Sequence, residues 1–126
     1  MSGAFHGAKL WLTLDGTMLT CLRDDRPDLP FPAHWDLPGG GREGDESPLA
    51  CALREMEEEF GLTLDPATLT GRAFRSHADP AMRSWLFAGP IDAAQIAAIR
   101  FGAEGQEWRM MPVADYLAHP RAIPHF

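Results

Sequence analysis

Three glutamates, Glu55, Glu58 and Glu59, recur at spacings of three and four residues in "LREMEEEFGL", shortly after the glycine-rich stretch "PGGGREGDES". Residues so spaced are neighbours on a helix surface, so the three carboxylates share one face while Glu57 points elsewhere. Like charges at these spacings destabilise an isolated helix by roughly 0.2–0.5 kcal/mol per pair, and acids near a helix C-terminus face the wrong end of its dipole. Arg54 can pair with one acid but cannot neutralise three. A hard divalent cation can, because Mg²⁺ takes oxygen ligands from carboxylates, water and substrate phosphate. A solvated charged face is the plainer alternative that the residues alone leave open.

The elements that must hold these side chains are legible around them. Leu49, Ala52, Leu53, Met56 and Phe60 fall in a narrow helical arc able to pack on a sheet. Ser47 is an N-cap, Pro48 suits the first helical position, and Gly61 suits a left-handed stop, so the spacing predicts a helix over 48–60. Upstream, Ala8–Leu14 and Thr17–Arg23 flank the turn signal Asp15-Gly16 and read as a β-hairpin. Residues 24–32, with three prolines, read as an exposed loop, and "HWDL" reads as a short strand entering a glycine loop. Downstream, 63–69 reads as a loop, Thr70–Ser76 and Arg83–Ala88 as strands around a turn at "HADPAM", and Asp92 as the cap of a short helix. Glu107–Met111 then gives a last strand, Pro112–Leu117 a last short helix, and the final residues a tail. Hairpins with separate helices and no repeat argue for an α/β (α+β) fold, a mixed sheet flanked by helices.

With 126 residues, 1–126 reads as a single domain. A 45% hydrophobic and 23% charged composition suits a soluble globular chain. No run approaches the ~18 apolar residues of a membrane span, and Met1–Lys9 lacks a signal-peptide core, so no membrane partner and a cytoplasmic location are expected. Cys21 and Cys51 are too few for a disulfide framework and read as buried or half-buried thiols. A net charge of −7 argues against a grip on duplex nucleic acid, although a small phosphorylated substrate remains open where a cation intervenes. Trp35, Trp85 and Trp108 can stack on a base or fill the core, and core is the commoner use of large aromatics.

Gly40, Glu46 six positions on, and the run Arg54-Glu55-Met56-Glu57-Glu58-Glu59-Phe60-Gly61-Leu62 together resemble the signature box of the Nudix hydrolases, with every fixed position matched. "HWDLPGG" before the box and "EGQEW" after it resemble the MutT-like branch. The resemblance implies an α/β/α sandwich with a mixed sheet, the box forming a loop–helix–loop. It also implies Mg²⁺-assisted attack of water, with Mn²⁺ able to substitute, on the diphosphate of a nucleoside diphosphate joined to another group. Glu58 and Glu59 would be principal metal ligands, Glu55 a ligand or the base, and Gly39 would offer its carbonyl to the cation. Arg54 would orient the acids through its fork of donors. Glu46, Gly40 and Gly61 would shape the motif, and Glu104, with Glu107 as competitor, would add a ligand from outside the box. Arg23 resembles a phosphate-contacting arginine of that branch, with Arg42 a weaker candidate.

The extra motifs of coenzyme A-cleaving and NADH-cleaving members are absent from the sequence. Ala78, Asp79 and Pro80 stand where dinucleoside polyphosphate cleavers tend to show tyrosine, and Pro80 is a weak hint of an ADP-ribose cleaver. The resemblance thus favours a nucleoside triphosphate pyrophosphohydrolase, with oxidised or non-canonical nucleotides among the candidate substrates. An ADP-ribose or nucleotide-sugar pyrophosphatase is the alternative, and a non-catalytic nucleotide-binding module is the alternative from another class. It keeps a homodimer open. An EF-hand is excluded, since no alternating Asp/Asn loop is present.

Overall fold

A computed structural model describes residues 4–29, 31–75, 81–102 and 105–123. In chain order the elements are β1 (Phe5–Leu14), β2 (Thr17–Leu22), β3 (Trp35–Asp36), β4 (Gly39–Gly41), α1 (Pro48–Phe60), a 3₁₀ turn (Pro66–Thr68), β5 (Thr70–Arg75), β6 (Arg83–Pro90), α2 (Ala93–Ala97), β7 (Glu107–Pro112) and α3 (Val113–Ala118).

The hairpin expected at Asp15-Gly16 forms, but β1 and β2 pair only at Thr13–Met18 and Leu14–Thr17. Beyond that they part. Strand β2 continues against β7, antiparallel from Thr17–Pro112 to Leu22–Glu107, while β1 runs parallel to β6 from Phe5–Arg83 to Thr13–Pro90. Strand β5 completes the sheet antiparallel to β6. Segment 35–41 enters the opening between the parted strands. Its β3 pairs with β2 and its β4 pairs with β1, and the Leu10 N–H donates to the Pro38 carbonyl at 2.9 Å.

The glycine stretch is therefore a strand, not the loop expected from its composition. Backbone contact explains it: a Cβ at Gly39, whose φ is +129°, would meet the Ala8 carbonyl oxygen. Only glycine lets the two backbones lie that close.

Side-chain alternation places a core on each face of the sheet. Ala8, Leu10, Leu12, Leu19 and Phe87 meet Ala52, Met56 and Phe60 of α1 on one face. Met18, Trp35, Leu37, Met111 and Tyr116 of α3 form a smaller cluster on the other. This is the mixed sheet between helices. Helix α1 has the expected ends: Ser47 Oγ accepts from the Ala50 N–H at 3.1 Å, and Gly61 is left-handed at φ 66°. Its fully buried residues include Cys51 beside the expected Ala52, Met56 and Phe60, while Leu49 and Leu53 are only partly buried. No helix of the described residues is long and apolar enough to cross a membrane.

Candidate active site

Strand β4 lies against α1 and meets it through backbone, because it has no side chains to interpose. A Cβ at Gly40 would stand 2.5 Å from Glu55 Oε1, so the missing side chain is the space the carboxylate fills. One turn on, Glu59 Oε1 accepts from the Gly39 N–H at 2.8 Å. Glu55 and Glu59 thus face the glycine strand rather than open solvent, contrary to a simple solvated face. Glu58 alone keeps that exposure, at 55% of its side chain against 13% for Glu55.

Arg54 holds more acids than a one-to-one pairing allows. Its Nε and Nη2 grip Glu46 at 3.0 and 2.8 Å as a two-pronged fork, and Nη1 reaches Glu55 at 3.1 Å and Glu58 at 3.0 Å. Nη2 also donates to the Gly41 carbonyl at 2.9 Å, and Glu43 lies 3.6 Å from Nε. The guanidinium's five donors in a plane make this possible, so Arg54 ties several acids as the family resemblance implied and exceeds the single pairing that helix spacing alone suggested. Glu46 gains further from the Glu43 N–H at 2.8 Å, so the loop before α1 closes on the arginine.

The same network separates the acids electrostatically. The hydrogen bonds from Arg54 hold the Glu46 carboxyl down at about 2. Glu59, beyond Arg54's reach, is pushed up to about 7 by burial, against which the Gly39 N–H works. Burial also raises Glu55, with Arg54 opposing.

Glu55 and Glu59 line a cleft of about 270 Å³ together with Gly39, Arg23, Lys9 and Asp36. Lys9 and Asp36 are functional candidates that sequence reasoning missed. The Lys9 ammonium lies 2.8 Å from Asp36 Oδ2, and Arg23 reaches the same oxygen at 3.4 Å. Burial pulls the Lys9 pKa down, and Asp36, with Cys21 and Glu59 adding to it, more than restores it, leaving it raised. A charge in the middle of the apolar run "GAKLWL" is the one sequence signal that sets Lys9 apart, and it does not by itself name a partner.

Of the remaining candidates, Arg23 reaches the cleft. Arg42 does not line it; its guanidinium stacks on the Phe5 ring, 4.6 Å from the centroid. Trp35 is 6% exposed in the smaller core, with Arg109 over its ring, so it serves packing rather than base stacking. Trp85 and Trp108 pack against the larger core. Glu107 is exposed and pairs with Arg109 at 3.5 Å. Glu104 and Pro80 lie outside the described residues. Cys21 and Cys51 are buried free thiols, as expected.

Among the described residues no three carboxylate, histidine or cysteine groups are gathered closely enough to hold an ion as they stand. The donors nevertheless fit a hard cation in kind. Glu55 and Glu59 offer carboxylate oxygens in one cleft, and burial raises both pKa values even with Arg54 beside Glu55, a cost that a bound cation would offset.

Comparison with known proteins agrees with this fold. Residues 8–126 match the family model of the NUDIX domain. An RNA pyrophosphohydrolase of Acidiphilium cryptum is 47% identical over 49 residues, 38% of this chain and 29% of the relative. A human diphosphoinositol polyphosphate phosphohydrolase 3-alpha is 34% identical over 74 residues, 53% of this chain and 44% of the relative. The chain thus spans less than half the length of these two curated relatives. The crystal structure of a MutT protein from Methanosarcina mazei Go1 superposes with a TM-score of 0.73 at 20% identity, covering 98% of this chain and 88% of that one, a likeness of fold. The glycine strand, the arginine-tied acids and the family match over residues 8–126 lead to one conclusion: the chain belongs to the NUDIX family.

Proposed function

We propose that the protein hydrolyses the diphosphate linkage of nucleoside diphosphates joined to another group, using Mg²⁺ or Mn²⁺, with nucleoside triphosphates as its first substrate class. One observation carries the reading: the desolvated carboxylates of Glu55 and Glu59 share a cleft with the Gly39 backbone and Arg23. The names of both curated relatives also refer to pyrophospho or diphospho chemistry.

Glu55, Glu59 and the Gly39 carbonyl in that cleft would hold the cation, together with Glu58, which does not line the cleft but shares the Arg54 guanidinium with Glu55, and with Glu104 a further candidate. The cation, once bound, would lower the pKa of a water and neutralise charge developing on phosphate oxygens. Arg54 fixes Glu55 and Glu58 in rotamer, and Gly39 fixes Glu59, so the acids need little reorganisation. Glu55 or Glu59, each with a raised pKa, is suited to accept the proton of the attacking water. Arg23, which lines the same cleft, would contact a phosphate oxygen.

Hydrolysis of a nucleoside triphosphate in ¹⁸O-water tests the reading. Pyrophosphate and nucleoside monophosphate, one of them carrying a single ¹⁸O, are the products expected. Orthophosphate with nucleoside diphosphate would overturn the triphosphate assignment, and cleavage confined to ADP-ribose or a nucleotide sugar would replace it with the second substrate class.

A further inference from the structure

Lys9 stands on β1 with its side chain on the face opposite Ala8 and Leu10, and it enters the opening between the parted strands. Its ammonium reaches Asp36 Oδ2 at 2.8 Å, the Leu37 carbonyl at 3.3 Å and the Gly39 carbonyl at 3.3 Å. An ammonium has three donors, so all are directed at one turn of chain, 36–39, and none is left for a substrate. Gly39 is gripped from its other side as well, since its N–H donates to Glu59. The side chains of Lys9 and Glu59 are thereby linked through one residue in a conformation only glycine adopts readily.

A largely buried ion pair, with Asp36 enclosed and Lys9 half-buried, is not the cheapest way to fill this space. Replacing such pairs by apolar residues of similar volume is often neutral or stabilising, so stability alone does not account for Lys9 and Asp36. Geometry does account for them: the pair fixes the turn against β1 at the residue whose N–H holds a cleft carboxylate.

We propose that Lys9 is a positioning residue, setting the Gly39 backbone so that the Glu59 carboxylate is held in its working place. The inference rests on the hydrolase reading above, but one of its readouts does not. Lys9→Met is a fair test because Asp36 keeps Arg23 at 3.4 Å and the Leu37 N–H at 2.7 Å, so its charge is not orphaned. In the metal-free protein, the Gly39 amide proton should move upfield and exchange about tenfold faster or more, as a hydrogen bond to a carboxylate is lost. With cation and substrate, kcat should fall on the order of 10- to 100-fold with KM little changed, as misplacement without lost substrate contact requires.

An unchanged Gly39 amide would overturn the proposal, and so would an altered amide with undiminished kcat. Should Lys9→Met not fold, Lys9→Gln, which keeps a donor but not the charge, is read by the same two signals. A wild-type protein that hydrolyses nothing would remove the hydrolase reading and with it the functional half of the proposal, while the Gly39 amide would still decide whether Lys9 sets Glu59.

Discussion

At the scale of single residues the site depends on what does not carry a side chain as much as on what does. Gly40→Ala places a methyl 2.5 Å from Glu55 Oε1, and the carboxylate, as the free end of a flexible side chain, relieves the clash by swinging away. Chemical denaturation should show little loss of stability, while turnover should fall by about tenfold or more as Glu55 is displaced; full activity would show that Glu55 need not lie where it does. Glu59→Gln should abolish most turnover while the metal-free fold holds or gains stability, because a desolvated charge is removed. A Glu59→Gln enzyme with near wild-type kcat would contradict the assigned site. The acids Glu55, Glu58 and Glu59 were visible in the sequence through helical spacing alone. Lys9 and Asp36 were not, since they meet only when β1 is joined by a segment 27 residues away.

At the scale of elements, α1 was read from local signals that act within a few residues: a capping serine, a first-turn proline, an apolar stripe and a left-handed glycine. Ser47→Ala should therefore cost about 1 kcal/mol of stability with kcat nearly unchanged, measured by urea unfolding and steady-state kinetics. A loss of activity out of proportion to stability would mean the cap also sets the loop that Glu46 closes. Strand β4 was misread because its pairing depends on contact with β1, and three successive glycines have no pattern of burial to reveal it. The same tertiary cause hid Arg54's several partners: Glu43 and Glu46 reach it from a loop whose path the residue spacing does not state.

At the scale of the whole molecule, the fold brings acids of opposite titration behaviour to one network, and its pH dependence follows. Glu59 titrates near 4.5 when unfolded and about 7 when folded, so the native state binds the extra proton between those values. Its contribution to stability is fully present below about 4.5 and is lost as pH rises toward 7. Glu46 runs the other way, its contribution present above about 4.5 and lost as pH falls toward 2. Thermal melts of metal-free protein should thus show a decline as pH rises from 4.5 toward 7 that Glu59→Gln reduces, with Glu55, also raised by burial, supplying what is left; a decline unchanged in that variant would assign it to another group. The central claim is that these desolvated acids hold a cation that hydrolyses a diphosphate. Its most direct test is product release from nucleoside triphosphates, ADP-ribose, nucleotide sugars and dinucleoside polyphosphates, each with Mg²⁺, with Mn²⁺ and with chelator. Cleavage of one class that the chelator abolishes and added metal restores is the expected result. Cleavage indifferent to chelator, or none at all by folded protein that binds nucleotide, would contradict it.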